Sequence, residues 1–239
     1  KAGFAIKKGD FKYLMARGVA GVVGIVSNFY AIDHMLLADA NMLNKLSPFF
    51  AILCSYFLLK EKMSPLQGIG VVVAFIGSLL VIKPSGAFGE LLPGLIGLLG
   101  GCAAGIAYTL VRILGKRGMK GGVIVFFFST FSCVSLLPFV IYCFQPLTWK
   151  QLLILLGAGV CAYGGQTCIT KAYTYAPAKE ISVYDYAQVI FSSILGYLLF
   201  GQKADGLSVL GYFIIIGMAV IMFLNTRRSE EKQAGKRDT

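Results

Sequence analysis

Eight polar side chains draw attention because of their surroundings. Asn28, Asn44, Lys45, Tyr163, Gln166, Asp185, Tyr186 and Gln188 all lie within long apolar runs. A charge near the centre of a membrane helix costs roughly 2.5–3.5 kcal/mol on insertion scales, so it usually faces a bundle interior or a wet cavity. The set suits recognition rather than bond making. Amides and a lysine bind polar and anionic groups, a carboxylate binds cations, and tyrosines add stacking faces and hydroxyls. A lysine and an acid in one cavity would suit a zwitterion such as an amino acid, among other solutes.

The chemistry that the sequence lacks narrows the choice further. His34 is the only histidine, and no His-x-x-x-His or Cys-x-x-Cys spacing occurs, so no metal site is expected. No nucleotide-binding loop is present, and no cofactor is expected. An embedded enzyme would need a nucleophile and base, or a metal cluster, at one depth. Lys45 and Asp185 fall in opposite halves of the membrane, one near the outer end of its span and one near the cytoplasmic end, and no histidine joins them. The six cysteines sit within or near apolar runs, where each acts as a small hydrophobe, and no disulfide is expected.

Each candidate has a plainer reading. Lys45 could snorkel towards the nearer interface rather than serve a cavity. Pro48, in the middle of the same run, frees one backbone carbonyl, which is either a functional break or a packing kink. Tyr163, Gln166, Thr167 and Thr170 follow helical spacing, and such a stripe lines a cavity or glues two helices. Gly97, Gly101 and Gly105 recur every fourth residue and read as a close helix–helix contact.

The elements that must carry these residues are membrane spans. The chain has 239 residues, 57% hydrophobic and 14% charged, against about 25% charged in ordinary soluble domains. Eight apolar runs fall near 13–33, 38–59, 64–82, 91–113, 122–144, 151–173, 180–200 and 207–225, each close to the about 20 residues that a spanning helix needs. With a cytoplasmic N-terminus, all of the 22 Lys and Arg fall inside except Lys45, Lys83, Lys150 and Lys203. Arg17 counts among the inside charges on this scheme. The net charge of +11 then reflects contact with anionic membrane lipid, and no nucleic-acid partner is implied.

The chain also repeats. Shifted by 141 residues, Leu14, Gly18, Gly24, Phe50, Tyr56, Lys62 and Gly70 fall on Leu155, Gly159, Gly165, Phe191, Tyr197, Lys203 and Gly211. The shift carries each span onto one five helices later. Five is odd, so the copies are inverted relative to each other, a plan recurrent in secondary transporters. The fourth and fifth spans have no partners upstream. The expectation is a ten-helix protein of two inverted five-helix repeats, present here without its first two helices.

The stretches "LADANMLNKLSPFFAILCSYFLLKEKMSPLQG" and "APAKEISVYDYAQVIFSSILGYLLFGQKADG" resemble EamA domains of the drug/metabolite transporter superfamily. The resemblance spans essentially the whole chain. It implies an all-α integral membrane protein, with residues 1–83 the remainder of one repeat, 84–226 the second, and 227–239 a basic cytoplasmic tail. It implies alternating access to a small organic solute in a central cavity, within a bacterial cell membrane. Two other functions compete. A carrier of phosphorylated or nucleotide-linked sugars should want several inward basic groups, where only Lys45 reads as buried. An embedded enzyme or scaffold would leave the inverted repeat unexplained.

Overall fold

A computed structural model describes residues 9–60, 64–82, 88–176 and 187–235. Among these the chain is all helix: α1 (Phe11–His34), α2 (Leu37–Asn44), α3 (Ser47–Leu59), α4 (Pro65–Ile82), α5 (Phe88–Lys116), α6 (Gly121–Tyr142), α7 (Trp149–Tyr175), α8 (Ala187–Phe200) and α9 (Gly206–Gly235). Seven segments are long and apolar enough to cross a membrane, with α2 and α3 together making one. Their apolar side chains face outwards as well as inwards. Phe29, Leu153, Val160 and Phe213 are all exposed, as lipid-facing residues should be. The chain is an integral membrane protein.

The run around Lys45 is not one helix. α2 ends at Asn44, and Lys45 adopts φ −75°, ψ 4°, outside regular helix geometry. The chain crosses the joint in two tight turns, Leu46 N–H to Leu43 O at 3.2 Å and Phe49 N–H to Leu46 O at 3.0 Å. Pro48 falls in the first turn of α3, where an N–H would have no intrahelical partner in any case. Its ring therefore starts a helix rather than kinking one, unlike the mid-span position expected from the sequence.

α5 is the post against which α1, α2, α3 and α7 pack. The glycine ladder makes this possible. A Cβ on Gly101 would lie 2.5 Å from the Leu43 carbonyl oxygen, and one on Gly105 would lie 2.6 Å from that of Ser47. The broken helix thus rests backbone to backbone on α5, which only glycine allows. Thr109 Oγ donates to Gly105 O at 2.9 Å and reaches Ala51 O at 3.3 Å across the same contact.

α4 packs against α9, and α8 against α2. The larger buried cluster lies here, including Met42, Leu46, Phe49, Ala74, Val189, Ile215 and Met222. A smaller one joins Leu14, Val111, Leu114, Ile124 and Tyr173 of α1, α5, α6 and α7. Several helix limits recur at the 141-residue offset: α1 and α7 stop at His34 and Tyr175, α3 and α8 at Leu59 and Phe200, and α4 and α9 start at Pro65 and Gly206. The residues closing α3 and α8, Lys60 (φ 52°) and Gly201 (φ 65°), are both left-handed. α9 continues to Gly235, so the basic tail begins as more of the same helix.

Candidate functional site

α1 presents Arg17, Gly21, Gly24 and Asn28 at spacings of four, three and four residues, which puts them on one face. The two glycines leave room along that face, and a cavity of about 170 Å³ fills it. Asn44, the last residue of α2, closes one side, and Ala104, Ala107 and Tyr108 of α5 form another. Phe128 of α6, Gln166 of α7 and the apolar Ile25 and Phe29 of α1 complete the lining. The small apolar cluster of Leu14, Val111, Leu114, Ile124 and Tyr173 lies next to the cavity, towards the Phe11 end of α1.

Arg17 dominates the site. Its residue surface is only 3% exposed. The guanidinium carbon sits 4.0 Å from the Phe128 ring centroid, a cation–π contact. Nε and Nη1 are buried without a hydrogen-bond partner. At the other end of the α1 face, Asn28 Oδ1 is likewise buried and unpartnered. A buried polar group without a partner is uncommon in a folded protein. Here two occur in one cavity, one a cationic donor and one a neutral acceptor. The walls are better anchored. Tyr108 stacks on Tyr173 at 4.2 Å and 7° between planes. Gln166 Nε2 donates to Thr170 Oγ at 3.0 Å, which leaves its carbonyl oxygen uncommitted by that bond.

Of the eight residues picked from the sequence, Asn28, Asn44 and Gln166 come together at this cavity. Lys45 is buried at the helix joint but is not among the lining residues. Tyr163 is 66% exposed and borders a separate, largely apolar groove of about 550 Å³ between α6 and α7. Gln188 bridges α8 to α2, its Nε2 donating to Asn41 Oδ1 at 2.9 Å. Asp185 and Tyr186 lie outside the described residues. Arg17 is the residue that sequence reasoning missed. Counted as a cytoplasmic charge, it lies six residues into α1 and is buried. The signal was the glycine and asparagine spacing that follows it.

Among the described residues no three His, Cys, Asp or Glu side chains gather as metal ligands. The donor set of the cavity is cationic and amide, suited to oxygen-bearing organic solutes.

Comparison with known proteins places this geometry. The chain matches the EamA-like transporter family over residues 2–83 and 93–224. It is 30% identical over 229 residues to the pseudopaline exporter CntI of Pseudomonas aeruginosa, covering 95% of this chain and 80% of that one. It is also 30% identical to human solute carrier family 35 member G1, over 92% of this chain and 64% of the human one. A riboflavin transporter of Vibrio cholerae is 25% identical over 96% of this chain and 77% of its own length. A solved crystal structure shares the fold, with TM-score 0.62 at 22% identity over 90% of this chain and 77% of the other. The chain belongs to the EamA-like transporter family. It is a small-solute transporter of the drug/metabolite transporter superfamily, not an enzyme.

Proposed function

From that membership we propose that the chain moves a small organic solute by alternating access, with the cavity between α1, α5, α6 and α7 as the cargo site. One observation carries this reading. In a chain dominated by apolar residues, the cavity gathers Arg17, Asn28, Asn44, Tyr108 and Gln166, and two of these keep buried polar atoms unpartnered. Cargo is what would satisfy them. The cluster of Leu14, Val111, Leu114, Ile124 and Tyr173 serves as the gate on one side. The coincident helix limits at the 141-residue offset support two repeats that rock about the site.

Both termini lie in the cytoplasm on this reading, and the host is a bacterial cell membrane. The basic residues support the orientation. Moving Arg17 from the inner surface into the bundle removes one inside charge, and burying Lys45 removes one from the outside, so the asymmetry stands. In a cysteine-less background, an impermeant thiol reagent should label Gln145→Cys in intact cells and spare Gly118→Cys. The reverse pattern would invert the topology.

The functional test is flux. Proteoliposomes holding the full-length protein should accumulate at least one labelled solute from a panel of amino acids, organic acids, organic amines and flavins. The solute should be recovered chemically unchanged. Recovery of a converted product, or no flux across the whole panel, would overturn the reading.

A further inference from the structure

We infer that Arg17 is the receptor for a carboxylate on the cargo, and that the transported class is small organic monoanions that also carry an N–H or O–H donor. The inference rests on the cargo-site reading above and narrows it.

Arg17 is 3% exposed and its guanidinium turns into the cavity beside Phe128, so it is not snorkelling to a membrane surface. Among the described residues it holds no salt bridge. Asp10 pairs with Arg117, Tyr212 donates to Asp39, and none of the described residues lining the cavity is acidic. Its one contact of note is the Phe128 ring, which fixes the guanidinium and leaves Nε and Nη1 with no acceptor. Arginine cannot shed its charge as lysine can, so deprotonation offers no escape. A buried, permanently charged and unpaired group is strongly unfavourable unless an anion joins it.

The geometry also selects the anion. The planar guanidinium matches a carboxylate or a phosphate in shape. Arg17 is the single charged lining residue among the described ones, so the wall offers one positive charge and no negative one. One charge balances a carboxylate and underbalances a phosphate dianion. The Arg17 side chain runs along α1 to the level of Gly21, which leaves Asn28 seven residues further on, about 10 Å at 1.5 Å per residue and within the span of a small cargo with a hydrogen bond at each end. Its unpartnered Oδ1 accepts, and so requires a donor elsewhere on the cargo. Pairing both orphans selects acid over amide, because the uncharged analogue would leave Arg17 unpaired.

Thermal unfolding of the full-length protein in detergent tests this with chosen probes. These are 4-hydroxybenzoate, lactate and 4-acetamidobutyrate, each beside its amide, together with phenyl phosphate. At least one carboxylate should raise the unfolding temperature of the wild type, and its amide should not. Arg17→Met should raise the half-saturating concentration about tenfold or more, as loss of a charge-assisted contact does. Arg17→Lys should recover part of it. The ligand-free Arg17→Met protein should unfold no lower than the wild type, because it loses an unpaired charge. No shift by any carboxylate would overturn the inference, as would an undiminished shift in Arg17→Met. A lower unfolding temperature for ligand-free Arg17→Met would reveal an internal partner and overturn it too. A larger shift with phenyl phosphate would reassign the site to phosphate esters. Flux separates this inference from the reading beneath it. Transport of neutral solutes that Arg17→Met leaves intact would sink the carboxylate and keep the transporter site. Arg17-dependent binding without flux of any bound probe would keep the carboxylate and sink the cargo role.

Discussion

The two sides of the bundle treat buried polarity in opposite ways. On the side of α2, α8 and α9, the buried amide, carboxyl and phenol groups pair with one another, and Ser208 Oγ is the exception. The Tyr212 hydroxyl donates to Asp39. Asn41 Nδ2 donates to Leu37 O at 2.8 Å, and its Oδ1 accepts from Gln188 Nε2. Gln202 Oε1 accepts from the Leu37 N–H at 3.0 Å. On the side of α1, α6 and α7, Arg17 and Asn28 keep unpartnered atoms around a cavity. The lesson concerns how to read polarity inside a membrane bundle. Depth alone marks a residue as unusual. Whether its partners come from the protein decides between architecture and recognition.

Substitutions on the two sides should behave differently. The largest stability loss should follow Tyr212→Phe, which strips a donor from the buried Asp39 carboxylate, at about 2–3 kcal/mol in reversible unfolding. A neutral outcome there would mean that the paired side is not paired for stability. Gly105→Val should cost about 1–3 kcal/mol, because its side chain meets Phe50 and the Ser47 carbonyl. The same change at Gly122, with nothing near its Cβ, serves as the control. Gln188→Met should cost about 1 kcal/mol, since it leaves Asn41 Oδ1 without its donor. Asn28→Leu should have the smallest effect on folding, within about 0.5 kcal/mol or slightly stabilising, because no bond to Oδ1 is lost. It should still cut flux about tenfold. If Asn28→Leu destabilised as much as Tyr212→Phe, the contrast between the two sides would collapse.

Much of this architecture was legible in advance. Hydropathy located α1, α4, α6 and α7 to within two residues at each end, because the length of a span is fixed by the bilayer. The glycines of α5 announced a close contact, and the structure supplies its partner. Asn28, Asn44 and Gln166 were legible as polar residues at depth. Three things were not. The joint at Lys45 was read as a continuous span, since the hydropathy of α2 plus α3 does not register a two-residue change in backbone angles. Lys45 seemed the natural cavity cation by its position, yet Asn44 beside it is the lining residue, because one step along a helix turns the side chain by about 100°. Arg17 was hidden by the charge count, which assigns a basic residue near a span end to the nearer surface regardless of which way it faces.

The joint between α2 and α3 bears on how this segment enters the bilayer at all. The 8 residues of α2 reach about 12 Å, and the 13 of α3 about 20 Å. Neither half alone covers the roughly 30 Å of hydrocarbon, and together they just do. The insertion machinery must therefore accept both halves in one event, with Asp39 and Lys45 aboard as a passenger pair of zero net charge. The broken span then finds its seat on the glycine rungs of α5 only once α5 is itself in the bilayer.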